Sequence, residues 1–572
     1  MTNQEVANLL RQIAKILEIK GDSTFRIRAY EEAATRVENL SEPIEDIWQR
    51  GELTNVPGIG ESIAARIEEY LKTGKSSYLE EISKDIPQGL FELMEVPGIG
   101  PRLAWRLYTE AGITSIEELE RALVEHKLQG LRGFGAKMEK KLLDGIQMYR
   151  QLSGRIPLYL ALPIVHNVIT YLKQHAKFVD IAPAGSLRRG RADIGDCDVL
   201  VATDDPIPVM EAFVKMPGVT QVLAKGDTKA SVFTGGLQVD LRAVPVESWG
   251  AALQYFTGSK AHNIKLRELA IKKGYKLNEY GLFKMDTDER VAGRTEEEIY
   301  NALGLPWIPP TMREDRGEIE LAMTGKLPRL VEMKDIKGDL HVHSTFSDGT
   351  DTVETMARKA KEMGYEWLVI SDHATGLGVV GGLTPEDLPD YISAIKDAEK
   401  KVGIRIFVGL EGNIKADGSF LFTDERVEVL IAAIHTALNQ EKEKILDRYE
   451  KTFKEAKPNI VAHPTGRILG RRGGLNVTSA EVLQLCGKYG VVPELNCTPM
   501  RLDIDDVGVL TAVTQYHMPI AIGTDAHDAD ELVNMELGII QAQRGWADPE
   551  HVINTWSAEK VEEWLRRSGS KQ

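Results

Sequence analysis

The last third of this chain contains a series of short apolar segments, most of which end at or beside a histidine or an acidic residue. Five of them are WLVISDH, RIFVGLEG, VLIAAIH, NIVAHP and PIAIGTDAH. Stretches with helical periodicity, such as TVETMARKAKEMG, alternate with them. This alternation predicts β/α units, in which parallel strands end on one face of the fold. We therefore expect the polar side chains at the segment ends to lie near one another.

Nine side chains in these positions, or in the preceding segment HVHSTFSDG, can bind a metal ion. One histidine in such a place is more often structural, but six histidines with three carboxylates predict a metal cluster. Mixed imidazole and carboxylate ligands favour Mn²⁺ or Zn²⁺ over Ca²⁺. The candidate metal ligands are His341, His343, Asp348, His373, Glu411, His435, His463, Asp525 and His527.

Length and composition place the chain among ordinary globular proteins. A chain of 572 residues is expected to form about three to five domains. Its three cysteines form no disulfide framework, and no apolar run reaches the length of about 18 residues that a membrane span needs. The first residues read as an amphipathic helix, without the layout of a signal peptide. We expect a cytoplasmic monomer that does not bind membranes. The net charge of −16 argues only weakly against a nucleic-acid partner.

The first 150 residues have helical periodicity and contain an internal repeat. The sequence VPGIG occurs at 56–60 and again at 96–100, each time before a predicted helix, and LRGFG at 131–135 is a weaker third copy. A Pro-Gly turn between packed helices is the simpler interpretation. Glycines at these positions also permit close approach of a phosphate to the backbone and the helix start. Two identical copies favour sequence-independent binding of the DNA backbone. The candidate glycines are Gly58, Gly60, Gly98 and Gly100.

A second acidic pattern occurs between residues 182 and 245. Gly185 and Ser186 are followed, after nine residues, by Asp196-Cys197-Asp198 and an apolar run, and Asp240 lies within the alternating segment LQVDLRAV. Acids two residues apart at one end of a strand face the same side, where a divalent cation would relieve their repulsion. Three aspartates on neighbouring strands suit two Mg²⁺ ions, and Ser186 with the arginines of SLRRGR could hold a triphosphate. A lone Asp-x-Asp would more often be solvated surface.

The Gly-Ser and Asp-x-Asp pattern resembles the nucleotidyltransferase superfamily. The sequence YFTGSKAHN at 255–263, together with the two hairpins, resembles the family X DNA polymerases, the group that includes DNA polymerase beta. The resemblance covers residues 1–318. It implies binding of gapped or primed DNA and dNTPs, and Mg²⁺ or Mn²⁺ at the catalytic aspartates Asp196, Asp198 and Asp240. It further implies nucleotide contacts from Gly185, Ser186, Arg189, Gly195, Tyr255, Phe256, Gly258 and Asn263, and a template contact from Arg267.

The nine candidate ligands resemble those of the polymerase and histidinol phosphatase (PHP) domain. That resemblance implies a distorted (β/α)₇ barrel with three metal ions. A family X core followed by a PHP domain is the arrangement of the bacterial and archaeal family X polymerases, the PolX type. It implies gap-filling synthesis in DNA repair with a Mn²⁺-dependent 3′-5′ exonuclease and related 3′-end or abasic-site cleavage. Four arginines near the ligand segments could bind substrate phosphates or be ordinary surface charge: Arg467, Arg471, Arg472 and Arg501.

These patterns together predict a multidomain α+β and α/β protein. The expected parts are two helical helix-hairpin-helix domains, a nucleotidyltransferase palm, a thumb, a linker and a PHP barrel, at 1–85, 86–150, 151–245, 246–318, 319–336 and 337–572. We expect the barrel to have its own core, so that the two activities can be separated. The alternatives are a nuclease or phosphatase whose first half only presents DNA, an inactive scaffold at DNA ends, and an untemplated RNA nucleotidyltransferase.

One position departs from the pattern of the lyase-active family X polymerases. Those polymerases carry a Schiff-base lysine in the helix after the first hairpin, and the matching residue here is Arg66. A guanidinium stays protonated and cannot act as an amine nucleophile. We therefore expect no lyase chemistry at Arg66, with Lys72 or Lys75 as weak substitutes.

Overall fold

The computed structural model describes the chain over most of its length. The described residues are 3–20, 22–38, 40, 43–84, 86–87, 90, 93–94, 96, 99–124, 127–128, 134–135, 138–143, 146, 156–374, 382–420, 424–469 and 474–569. Within these ranges, no helix has both the length and the apolar character needed to cross a membrane.

The N-terminal region is helical, as the periodicity predicts. Apolar faces of its helices form one buried cluster around Leu10 and Ile13 and a second around Leu107 and Leu119. Two of the helices begin directly after a VPGIG sequence. The helices span Asn3–Ile19, Thr24–Glu38, Ile44–Gln49, Glu61–Thr73, Ser77–Ser83, Pro101–Ala111 and Ile116–Val124.

The palm is a five-stranded mixed sheet with helices packed against it. Strand Cys197–Ala202 lies next to Leu237–Val244 in parallel, and both are central. The other strands, Asp180–Pro183, Lys229–Thr234 and Val219–Lys225, are antiparallel to their neighbours. A short two-stranded pair joins Ile156–Pro157 to Asp193–Ile194. The palm helices span Leu158–His175, Gly185–Arg188 and Pro206–Val214.

The thumb combines a small antiparallel sheet with helices. Ser259 caps the helix Lys260–Lys272 by accepting a hydrogen bond from the His262 backbone N–H. Its strands are Tyr275–Asn278, Gly281–Lys284 and Arg290–Ala292, and its other helices are Trp249–Thr257 and Glu296–Ala302. The helix Glu318–Met323 follows and leads toward the barrel.

Seven parallel strands form the last part of the chain, in sequence order. Almost every strand residue is buried, as expected for parallel strands covered on both faces. A bridge between Val342 and Ala526 connects the segments after the first and last strands, so the barrel is nearly closed. The strands are Gly338–Asp339, Trp367–Ile370, Arg405–Asn413, Val429–Ala433, Ile460–Val461, Val492–Asn496 and Ala521–Gly523. The helices are Val353–Glu362, Leu388–Val402, Lys442–Glu455, Ser479–Tyr489, Asp506–Thr514, Met535–Arg544 and Ala558–Gly569.

The expected fold class is confirmed, including the seven-stranded β/α barrel. The expected domain boundaries stay predictions. We call residues 156–318 the palm–thumb lobe and residues 337–569 the barrel lobe. The apolar cores of the two lobes are not independent, because Leu502 and Leu537 of the barrel lobe are buried in the palm core and Trp546 in the thumb core.

Candidate active sites

The three palm aspartates lie side by side on or next to the two central strands. Asp198 is opposite Asp240 in the parallel ladder, and Asp196 immediately precedes its strand. Burial, together with the charges of Asp196 and Asp240, raises the pKa of Asp198 to about 7. Lys229 partly offsets this charge, since its Nζ lies 3.3 Å from Asp240 Oδ2. Clustered carboxylates of this kind are a suitable set for divalent cations.

The aspartates line a cavity of about 710 Å³ between palm and thumb. The cavity brings together the eight residues to which the family X resemblance assigns a nucleotide contact, and also Arg267. Arg188 of SLRRGR does not line it and pairs with Glu296. Arg191, one of the arginines of SLRRGR, also lines the cavity, and sequence analysis missed the further lining residues Lys229, Arg242 and Lys260, and Glu5 and Asn8 from the first helix. The excess of cations over the three aspartates and Glu5 suits a polyanionic ligand such as a triphosphate.

Two glycines are required where the chain passes the cavity. Gly185 has a φ of +60°, and a Cβ there would lie 2.6 Å from Asp198 Oδ2. Gly258 has a φ of +70° and ends the helix that carries Tyr255 and Phe256. A side chain at Gly185 would therefore displace the carboxylate of Asp198.

The thumb side chains around the cavity are held by one another. The rings of Tyr255 and Phe256 meet edge to face with centroids 5.0 Å apart, and the Arg242 guanidinium lies 4.9 Å from the Phe256 centroid. Asn263 donates from Nδ2 to the Tyr255 carbonyl. Arg267 faces Glu5 of the first helix, with Nη2 and Oε1 3.7 Å apart. The predicted template contact thus faces an acidic side chain in this structure.

Arg189 lines the cavity, but its donors are directed elsewhere. Its Nε donates to Glu314 Oε1 at 3.0 Å, and its Nη1 donates to the Thr257 carbonyl at 2.5 Å. The motif predicts a triphosphate contact at this position. In this structure the guanidinium instead ties the palm to the end of a thumb helix.

All nine candidate ligands of the barrel lobe converge at the C-terminal ends of the strands. Three groups of side chains have ligand atoms within 4.8 Å of one another. His343 and Glu411 each belong to two of these groups, and Glu411 also lies 3.2 Å from His463 Nε2. Asp525 joins the cluster through His343, with Oδ1 and Nε2 3.1 Å apart. The groups are His343, Asp348, His373 and His527; His341, His343 and Glu411; and His373, Glu411 and His435.

Buried ligand atoms in this cluster lack hydrogen bonds. Nδ1 of His343 and Oε2 of Glu411 are buried without a hydrogen-bond partner. Nδ1 of His373 lies 2.8 Å from Oε2 of Glu411, in an orientation that makes no hydrogen bond. Buried polar atoms are usually satisfied, so these atoms fit a site that binds metal ions.

The charges within the cluster compensate one another. Burial alone would raise the pKa of Glu411, but His373 and His435 hold it well below its usual range. Burial alone would lower the pKa of His373, but Glu411 and Asp348 raise it to about 10. In the same way, burial is outweighed at His527, whose pKa Asp348 and Asp525 raise to about 9. The carboxylates are therefore held ionised, the form in which they bind metal.

Glu494 contacts two of the candidate ligand residues, His341 and His463, although sequence analysis did not identify it. Its Oε1 lies 2.6 Å from His341 Nδ1, and its Oε2 accepts from the His463 backbone N–H and from Asn496 Nδ2. The side chain is 1% exposed. A partner on Nδ1 leaves Nε2 of His341 directed at the other ligands. The only signal in the sequence is an acid within the otherwise apolar strand VPELN.

The described parts of the two hairpins have matching geometry. Gly60 and Gly100 are extended N-cap residues, with φ and ψ of −80° and 171° and of −87° and 171°. Gly58 has a φ of +88°, and a Cβ at Gly60 or Gly100 would meet no atom within 4 Å. Each helix start is therefore open. Gly98 lies outside the described residues.

The remaining arginines of the sequence analysis have varied surroundings. Arg66 stacks on Tyr78, with Cζ 4.4 Å from the ring centroid. Arg467 donates to the carbonyls of Arg501 and Leu502, so it braces the loop that follows the sixth strand. Arg471 and Arg472 lie outside the described residues.

Comparisons with known proteins agree with this architecture. Residues 1–76 match the family described as Helix-hairpin-helix domain, 91–148 SAM-like Helix-hairpin-helix tandem, 252–314 DNA polymerase beta thumb, and 339–498 PHP domain. A protein of Bacillus subtilis named DNA polymerase/3′-5′ exonuclease PolX is 36% identical over 575 residues, covering 99% of this chain and 100% of that protein. Proteins named DNA polymerase lambda from Arabidopsis thaliana and Rattus norvegicus are 26% and 25% identical, each over 54% of this chain and over 62% and 56% of their own lengths.

Proposed function

Because the chain belongs to the family X DNA polymerases that carry a C-terminal PHP domain, we propose a division of labour between its lobes. The palm–thumb lobe extends primer 3′ ends on gapped DNA with dNTPs. The barrel lobe removes nucleotides from DNA 3′ ends and acts on related 3′-blocked or abasic sites. The observation that carries the proposal is that each lobe gathers its own set of metal-binding side chains in one place.

In the palm, Asp196, Asp198 and Asp240 would hold two Mg²⁺ or Mn²⁺ ions. Such ions activate the attacking hydroxyl and neutralise charge on the triphosphate. Ser186 and Gly195 line the cavity where the triphosphate would lie, and Tyr255, Phe256 and Asn263 line its thumb side, where the sugar and base would stack. The Arg242 guanidinium on the Phe256 ring holds that ring against the palm.

In the barrel, the nine ligands would hold three Mn²⁺ or Zn²⁺ ions. Ions bound there activate water for attack on a phosphodiester and offset the phosphate charge. Glu494 orients His341 and His463 through the hydrogen bonds described above, and Asn496 orients Asp525 by donating from Nδ2 to its Oδ2 at 3.1 Å. Arg501 lies near His463 and lowers its pKa, after the larger effect of burial. Its positive charge suits a phosphate beside the ligands.

The hairpins would hold the DNA by its backbone. Gly60 and Gly100 leave the helix starts open, so a phosphate can approach the first backbone N–H groups. No base is read by such a contact, which suits a repair enzyme that acts on any sequence. We propose no lyase step at Arg66, because its guanidinium packs on Tyr78 and cannot form a Schiff base. We also propose that the protein acts in the cytoplasm and as a monomer.

One experiment tests both activities. The purified chain is incubated with 5′-labelled primer on gapped DNA, with Mg²⁺ or Mn²⁺, with and without dNTPs. We expect lengthening with dNTPs and shortening without them, and chelation should stop both. Shortening without any lengthening would favour the alternative in which the first half only presents DNA.

A further inference from the structure

The end of one thumb helix depends on Arg189. Thr257 is fully buried, and its carbonyl accepts from Arg189 Nη1 while its hydroxyl accepts from Arg188 Nη1. The turn that begins at Thr257 joins the helix carrying Tyr255 and Phe256 to the helix carrying Asn263. The position of Arg189 therefore sets how these two helices face the nucleotide cavity.

The position of Arg189 depends in turn on a residue of the barrel lobe. Arg544 donates from Nη1 to the Arg189 carbonyl at 2.7 Å and to Glu314 Oε1 at 2.9 Å. The same carboxylate oxygen of Glu314 accepts from Arg189 Nε. Arg544 also donates from Nη2 to Asp506 Oδ2 at 2.7 Å. We name Arg189, Glu314, Asp506 and Arg544 the interlobe clamp.

The interlobe clamp is buried and closely packed. The side chain of Arg544 is 3% exposed, and those of Arg189 and Glu314 are 12% and 10% exposed. Beside it, Gln541 donates from Nε2 to the Gly190 carbonyl. Without Arg544, Glu314 keeps Arg189 and Asp506 keeps Arg316, but each buried carboxylate loses one of its two cationic partners, which is costly. The contact between the lobes is thus a buried part of the fold and not a weak surface contact between two linked domains.

We propose that Arg544 is a positioning residue of the polymerase site. Acting through Glu314 and Arg189, it holds the turn at Thr257 and so fixes the thumb helices around the incoming nucleotide. The barrel lobe then has a second task besides its own chemistry, because it completes the nucleotide cavity of the other lobe. The inference rests on the proposed polymerase function.

The test uses the full-length chain and the variant Arg544→Gln. We expect the KM for dNTP to rise about 10- to 100-fold, the range that misplaced substrate contacts produce, with a smaller change in kcat. The 3′-shortening rate should stay within about twofold of wild type, because no described contact joins Arg544 to a metal ligand. A normal KM for dNTP in a folded, active variant would overturn the inference.

Arg448→Gln is the matched control. Arg448 is another buried arginine of the barrel lobe, 2% exposed, but its hydrogen bonds go only to barrel residues such as Lys415 and Ile414. The Arg448→Gln variant should have a lower melting temperature and an unchanged KM for dNTP. If both variants raise that KM equally, the effect is one of general barrel stability and the inference is wrong.

A double variant separates positioning from independent effects. If Arg544 acts through Arg189, the variant with both Arg189→Gln and Arg544→Gln should resemble the stronger single variant. Multiplied effects would mean that the two residues act separately, which contradicts the inference. Should Arg544→Gln fail to fold, Arg544→Lys keeps the charge but has all its donors on one nitrogen, which cannot replace both Nη1 and Nη2, and the KM for dNTP should still rise. If wild-type protein extends no primer, it is the proposed polymerase function that fails.

Discussion

The barrel and the palm both gather acidic side chains at strand ends, but in opposite surroundings. The centre of the barrel cluster is closed in, with the side chains of Glu411 and His343 at most 1% exposed, whereas Asp348 and His527 at its edge are 30% and 33% exposed. The histidines and carboxylates of the cluster balance one another in charge. The palm aspartates lie on an open cavity of about 710 Å³, where Asp196 is exposed and Lys229 approaches Asp240. In the barrel, the candidate ligands already contact one another without a substrate. The palm cavity is open and has room for a polyanionic substrate beside the metal ions.

The second layer of residues differs in the same way. In the barrel, Glu494 binds two of the ligand-bearing residues, and Asn496 donates to Asp525. In the palm, Gln238 donates to Asp240, and the nucleotide-facing helices are held from another lobe. Substitutions around the barrel ligands should therefore change the affinity for metal ions, whereas substitutions around the palm should change the affinity for the substrate.

The largest effect is expected from Asp240→Asn. Removing this charge leaves the catalytic metal ions with a weaker, neutral ligand in place of a carboxylate, so primer extension should fall by about three orders of magnitude or more. Extension of gapped DNA at saturating dNTP measures it. The 3′-shortening rate serves as the control and should be unchanged, because its ligands lie in the other lobe. Near wild-type extension would remove Asp240 from the proposed site.

Nearly as large an effect is expected in the barrel from His341→Ala combined with His343→Ala. The two imidazoles face Glu411 and Asp525, so their loss should abolish most of the 3′ shortening and lower the number of bound Mn²⁺ or Zn²⁺ ions. Metal analysis of the purified protein and digestion of labelled DNA measure both. Gap filling should persist. Digestion at the wild-type rate would mean that the cluster is structural.

A smaller effect should follow from Glu494→Gln, which keeps the shape but weakens the hydrogen bonds to His341 and His463. Loss of a partner behind a metal ligand typically costs about 10- to 100-fold in metal affinity, and we expect a loss in that range here. Competition with a chelator measures the affinity. The control is Glu428→Gln, whose carboxylate accepts from Arg405 and the Val408 N–H. Equal losses in both variants would show that Glu494 has no special role.

The smallest effect is expected at the hairpins from Gly60→Val. A Cβ at Gly60 meets no protein atom within 4 Å, so the new side chain should be tolerated but should obstruct a phosphate. We expect DNA affinity to fall about severalfold for every sequence, with a weaker salt dependence, because one phosphate contact is lost. Fluorescence anisotropy at several salt concentrations measures this. Unchanged affinity would assign the repeat to packing alone.

The sequence predicts the barrel well because most of the candidate ligands lie at or near the end of a short apolar strand. The convergence of His341, His435 and His463 follows from strand order alone, once the strands are parallel. The sequence does not reveal the role of Glu494, because this residue lies inside a mostly apolar strand. Such a pattern predicts only a buried position. Arg189 is placed correctly at the cavity, but its partners Glu314 and Arg544 come 125 and 355 residues later. Pairings across such distances leave no local pattern, so the expectation of separable lobes could not anticipate the clamp.

Gly190 has a consequence for how such a chain can be inherited. A Cβ at this position would lie 2.2 Å from Cγ2 of Ile540 in the barrel lobe, and its φ of +67° already disfavours other residues. A larger residue at 190 would need a smaller one at 540, a change that a single mutation cannot supply. If recombination replaced the gene segment for one lobe with that of a distant relative, the two lobes would meet at surfaces whose residues had not changed together. The lobes should therefore be passed on as one unit, although each has its own candidate metal ligands.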